Sequence, residues 1–142
     1  TGANIFFRTE TGRITNATID HCDLYNSAIG SGLATPVDAK DVVKVSITNS
    51  IIVDAYGIVN DAGALADIKL DYCNVFASLA QFYPDQEFIT ATNLLNTDPG
   101  YTDAENGDFT LQAGSTMATA GKDGTYLGSQ GLQTAIRNWM IQ

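Results

Sequence analysis

An all-β solenoid is the fold this sequence predicts, and three observations predict it. The composition favours Thr, Asn, Asp, Gly, Ala and Ile over Glu, Lys and Leu, the balance of short strands and tight turns. A nine-residue block recurs without gaps. A length of 142 residues suits one continuous core and not two independent ones.

The block occurs at Ala17-Thr-Ile-Asp-His-Cys-Asp-Leu-Tyr25, Val45-Ser-Ile-Thr-Asn-Ser-Ile-Ile-Val53 and Ile68-Lys-Leu-Asp-Tyr-Cys-Asn-Val-Phe76. Apolar residues fill its first, third, eighth and ninth columns, and the second and fourth are polar. The sixth column holds Cys22, Ser50 and Cys73, spaced by 28 and then 23 residues. A period in the twenties, with two short strands meeting at a one-residue corner, fits a β-solenoid coil better than a helical repeat. In the middle copy, Ile47 points inward, Asn49 turns the corner, and Ser50 and Ile52 point inward again, following the strand period of two. Asn suits such a corner because its short side chain tolerates the left-handed region. His21 and Tyr72 take that column in the other coils, in place of the usual Asn.

Other elements follow from the same pattern. Ile5-Phe6-Phe7 reads as one further strand, and a coil resumes at Ile89 to Leu95. The span 77–88 breaks the repeat and carries Pro84, so it is expected to protrude as a loop. Apolar residues at Leu132, Ile136, Trp139 and Met140 permit a short helix or a final strand covering the solenoid's end. The chain is thus expected to be one module, with coils over about 1–100 and a closing segment over about 98–142. No cap is evident before Ile14, so it is expected to be a piece of a protein that continues upstream.

The Ile-Thr-Asn-Ser-Ile-Ile run at 47–52 resembles the standard coil of the right-handed, single-stranded parallel β-helix proteins of the pectate-lyase-like superfamily. Asp98-Pro-Gly-Tyr101, Gly107-Asp-Phe-Thr-Leu111, Gly114-Ser115 and Ala120-Gly121 resemble the closing segment of secreted bacterial members. Where that family often has Ser-Pro, this chain has Ser115-Thr116. The resemblance implies the C-terminal coils of a protein that is secreted or on the cell surface.

Sixteen acidic against seven basic residues give a formal charge of -9, which argues against nucleic acid and anionic membrane surfaces as partners. No apolar run approaches the length of a membrane span, so membrane insertion is not expected. Lyases of the resembled superfamily need carboxylates clustered for calcium, or a Lys or Arg placed to remove the proton α to a uronic carboxylate. Asp20, Thr48 and Asp71 share one outward column, and Thr18, Ser46 and Lys69 another. Asp20 and Asp71 stand two coils apart, about 9.6 Å, too far to chelate one ion directly. The face reads as solvated.

The acidic stretch Asp103-Ala-Glu105-Asn-Gly107-Asp108 lacks the twelfth-position Glu of an EF-hand and reads as a turn on Asn106-Gly107. His21 is the single histidine and has no triad partner at a recognisable spacing. Cys22 and Cys73 read as small core residues, and the Asn16-Ala-Thr18 sequon as incidental. No catalytic residue, metal ligand or cofactor is assigned. Phe82, Tyr83 and Phe88 flank the expected loop; packing it down is their first use, and stacking on a sugar ring makes them the candidate carbohydrate contacts. The expected function is a non-catalytic closing module of an extracellular bacterial protein that contacts polysaccharide and the upstream part of its own chain. The alternatives are a fragment of a polysaccharide lyase or hydrolase with its catalytic coils upstream, and an adhesin or structural repeat.

Overall fold

A computed structural model of the chain describes residues 5–9, 14–25, 29–33, 42–53, 56–60, 66–76, 80–84 and 89–129. The chain runs through β1 (Ile5–Thr9), β2 (Ile14–Asp20) and β3 (Asp23–Tyr25), and then through β4 (Ile29–Leu33), β5 (Val42–Thr48) and β6 (Ile51–Val53). β7 (Tyr56–Asn60), β8 (Ala66–Asp71) and β9 (Asn74–Phe76) follow, and then β10 (Ala80–Pro84) and β11 (Ile89–Thr92). Each strand pairs in parallel with the strand three places on, giving the sheets β1-β4-β7-β10, β2-β5-β8-β11 and β3-β6-β9. The fold is all-β, a solenoid-like stack of parallel sheets, and no α-helix occurs among the described residues.

The register reproduces the sequence columns. Ala17 pairs with Val45 and Val45 with Ile68; Ile19, Ile47 and Leu70 form the next inward column, and Ala91 extends it. Ile19, Val45, Ile47, Ile68 and Leu70, with Leu24, Ile52, Val75 and Cys73, make one core between the sheets, and Ala91 packs against it. Stacked β-branched side chains fit a pleated surface, which is why Ile and Val dominate here.

The four described corners of this column take the left-handed conformation: His21, Asn49, Tyr72 and Asn93 have φ of 50°, 47°, 51° and 49°. His21 and Tyr72 therefore turn the chain as Asn49 does, although their larger side chains tolerate the region less well. Neighbouring coils fix them there, because the corner N–H groups of His21, Asn49 and Tyr72 donate to Thr48 O, Asp71 O and Thr92 O.

Each coil adds a third strand to the two of the repeated block, since Ile29–Leu33 and Tyr56–Asn60 form a further sheet. One expectation is corrected. Within the span expected to protrude, Ala80–Pro84 is a strand paired with Tyr56–Asn60. A parallel ladder satisfies that backbone, and Pro84 is tolerated because β10 ends the described sheet and Pro84 ends β10. The rest of the span, 77–79 and 85–88, lies outside the described residues, as does the expected terminal element from Leu132 to Ile141.

The closing segment does not simply follow the last coil. β12 (Tyr101–Asp103) and β13 (Asp108–Leu111) form an antiparallel hairpin. The connection is a 3-10 turn at Ala104–Asn106 ended by Gly107 at φ 83°, the tight turn expected of Asn-Gly. The chain then lies along the outward face of β3-β6-β9, where Ile51, Met117 and Leu127 form a second buried cluster. The β6 strand is covered on both faces, so Ile51 and Ile52, which point opposite ways, are both fully buried, while Asp23 and Asn74 share the Ile51 column on the sealed face.

Candidate functional site

The column after the corner is inward and carries a repeated hydrogen bond. Cys22 Sγ donates to Asp20 O at 3.3 Å, Ser50 Oγ to Thr48 O at 2.7 Å, and Cys73 Sγ to Asp71 O at 3.5 Å. Each side chain reaches back two residues to a carbonyl before the corner, and Thr48 O and Asp71 O accept as well from the corner N–H of the preceding coil. Both cysteines are free thiols. Burial pushes the Cys73 thiol up to about 11 and also raises that of Cys22, so neither is an activated nucleophile.

The outward face of β2-β5-β8-β11 is an open polar surface among the described residues. Asn16, Thr18, Asp20, Lys44, Ser46, Lys69, Thr90 and Thr92 are exposed there. The face is more ordered than a solvated sheet. Thr48 Oγ1 and Asn49 Nδ2 donate to Asp20 Oδ1 at 2.6 and 3.0 Å. Thr92 Oγ1 and Asn93 Nδ2 each donate to Asp71 Oδ1 at 2.8 Å. An aspartate on one coil thus accepts from the Thr-Asn corner of the next, twice over.

Burial pushes the Asp20 carboxyl up, but hydrogen bonds from Thr48, His21 and Asn49 outweigh it and hold the group at about 2. Hydrogen bonds from Asn93 and Thr92 lower Asp71. His21 Nδ1 lies 2.8 Å from Asp20 Oδ2, and its ring packs 4.8 Å from Tyr126. Carboxylate on Nδ1 is the orienting half of a triad, yet no hydroxyl or thiol among the described residues hydrogen-bonds to the ring. A carboxylate held near 2 is also a weak base at neutral pH.

Two adjoining hollows open on this face and share Thr18. One, of about 310 Å³, is bordered by Asn16, Lys44, Ser46, Asp67 and Lys69, with Lys69 Nζ 3.5 Å from Asp67 Oδ2. The other, of about 330 Å³, is bordered by Asp20, Thr48, Asn49, Asp71, Tyr72 and Lys122. Lys122 comes from the closing segment, where its backbone N–H donates to Asn49 Oδ1 at 2.9 Å. Sequence reading found the Asp20 and Thr18 columns but not Lys122, which no local pattern joins to them. Among the described residues, no group of three or more His, Cys, Asp or Glu side chains is placed to hold a metal ion.

Two of the three expected sugar contacts belong to another sheet. Phe82 and Tyr83 fall on β10, in register with Ile58 and Val59. Their side chains, and Phe88 altogether, lie outside the described residues.

Stacked parallel sheets with one sealed and one open outward face define a solenoid-like module. A family model described as a domain of unknown function (DUF5123) matches residues 17–125, and the chain belongs to that family. No curated protein and no solved structure matches the chain.

Proposed function

We propose that this chain is the non-catalytic closing module of a right-handed parallel β-helix in an extracellular protein, and that its open polar face contacts polysaccharide. The observation that carries the reading is the contrast between two outward faces. The closing segment seals β3-β6-β9, while β2-β5-β8-β11 keeps hydroxyl, amide, carboxylate and ammonium groups exposed at every second residue over adjacent coils.

Strands in parallel register repeat about every 4.8 Å, so such a face offers regularly spaced donors and acceptors to an extended, hydroxyl-rich chain. Right-handedness is supported by the near-universal hand of parallel crossover connections. The superfamily's coil and tail patterns support an extracellular setting. The absence of catalysis is supported by the engagement of Asp20 and Asp71 in corner hydrogen bonds.

A glycan-array screen of the chain, coupled to an assay for unsaturated uronate release, tests the proposal. Glycan capture without turnover is expected. Turnover abolished by a point change on this face would overturn the non-catalytic reading, and an empty array would overturn the contact reading.

A further inference from the structure

We infer that the hollow between the Asn49 and Tyr72 corners binds a neutral, hydroxyl-rich sugar, and that the site is complete only when the closing segment supplies Lys122. The inference rests on the reading of this face as a glycan contact and narrows it to one site and one substrate class.

The first argument is unused bonding capacity. Asp71 Oδ1 is occupied by Thr92 and Asn93, whereas no side chain among the described residues hydrogen-bonds to Asp71 Oδ2; the Tyr72 N–H and the charge of Lys122 also favour the carboxylate. The hydroxyls of Thr18 and Tyr72 and the ammonium of Lys122 have no side-chain hydrogen-bond partner there either, and all four groups belong to residues that border the hollow. A sugar hydroxyl donates and accepts at once. It can therefore give its proton to Asp71 Oδ2 and its lone pair to Lys122 Nζ, which neither an anion nor a cation can do. Tyr72, half-buried, adds the apolar surface that ligand hollows combine with a few convergent polar groups.

The second argument is charge. Among the residues that border the hollow, the carboxylates of Asp20 and Asp71 stand against the single ammonium of Lys122, so that lining is net negative. Asp20 stays ionised well below neutral pH because its corner hydrogen bonds hold it at about 2. A uronic acid would bring a third carboxylate into this space, where like charges in contact oppose binding. A calcium ion fares no better, since it needs six to eight oxygens and the two aspartates stand about 9.6 Å apart. The substrate class differs from the acidic polysaccharides that the resembled lyases cleave.

The test titrates the intact chain with cellohexaose, xylohexaose, mannohexaose and hexagalacturonate by calorimetry. Binding of a neutral hexaose is expected, weakened about tenfold or more by Asp71→Asn and by Lys122→Ala, a loss of about 1.4 kcal/mol. Glu105→Ala, on the exposed hairpin turn and outside both hollows, is expected to leave it unchanged. Far-UV circular dichroism verifies that each variant folds, and the exposed Lys122 keeps the test valid if Asp71→Asn does not. Binding of hexagalacturonate alone, or neutral binding indifferent to both changes, overturns this site while leaving a glycan-contacting face intact. Failure of all four probes to bind overturns both.

Discussion

Tyr101 and Asp23 lie 78 residues apart, and the Tyr101 hydroxyl donates to Asp23 Oδ1 at 2.6 Å. The same carboxylate accepts from Ser129 N at 2.8 Å, and Gly128 passes so close that a Cβ there would overlap it. Burial, together with the Asp23 carboxylate, pushes the Tyr101 hydroxyl well above its ordinary value, so it remains a donor throughout the working pH range. Tyr101→Phe keeps the edge contacts with Tyr25 and Phe109 but removes that donor. The expected loss is about 1 to 3 kcal/mol by urea unfolding, the cost of a charge-assisted bond left unmade. An unchanged midpoint would show that the latch contributes nothing.

Leu70 sits fully buried in the inward column, while Thr90, one strand on, faces water. Leu70→Ala is expected to cost about 2 to 5 kcal/mol. Thr90→Ala should fall within about 0.5 kcal/mol. Equal losses in chemical denaturation would mean that the inward and outward columns are misassigned.

Asp20 and Asp71 are both depressed in the folded chain. The stability they contribute is fully present above the ordinary carboxyl value of 3.8 and is lost as pH falls through the folded value, about 2 for Asp20. The thermal midpoint should therefore drop between about pH 4 and about pH 2. Asp20→Asn should flatten that drop, and parallel profiles for the variant and the natural chain would remove Asp20 from the account.

Ser50 stands between Cys22 and Cys73 in their shared column, which puts the cysteine Cα atoms about 9.6 Å apart at the strand spacing. A disulfide needs them within about 7 Å. Mass analysis without reductant should return two free thiols even after exposure to air. In the folded chain, the half-buried Cys22 should alkylate first and the fully buried Cys73 only on unfolding. A linked Cys22–Cys73 peptide would contradict the stacking itself.

The coils were legible because strand periodicity and a gapless repeat act locally. They assigned Ile19, Ile47 and Leu70 to one inward column and Asn49 to a corner, and the register agrees. The sheet β1-β4-β7-β10 escaped, because Ile29-Gly-Ser-Gly-Leu33 has too little alternation to read as a strand and Pro84 reads as a breaker. The sealed face escaped too, although a signal was present. Ile51-Ile52-Val53 is apolar at consecutive positions, and a strand with one face in water has no use for that. Lys122 could not have been placed from sequence, since only the path of the closing segment takes it to Asn49, 73 residues earlier.

Asn49 makes bonds to widely separated parts of the chain: its amide donates to Asp20, its side-chain oxygen accepts from Lys122 N, and its carbonyl accepts from Gly128 N. Such contacts close very long loops, so they form late, after the local stacking of coils. During synthesis the N-terminal coils emerge first, and the closing segment reaches them last. A stack that had slipped by one coil would then offer Ile51 where the segment expects Asp23, and Tyr101 and Ser129 would be buried against a hydrocarbon. The segment thereby works as an inspection step, locking only a correctly counted stack. Truncation after residue 97 should leave strands that still pair but exchange their amide protons through several registers. Hydrogen exchange as slow and uniform as in the intact chain would show that the coils count themselves.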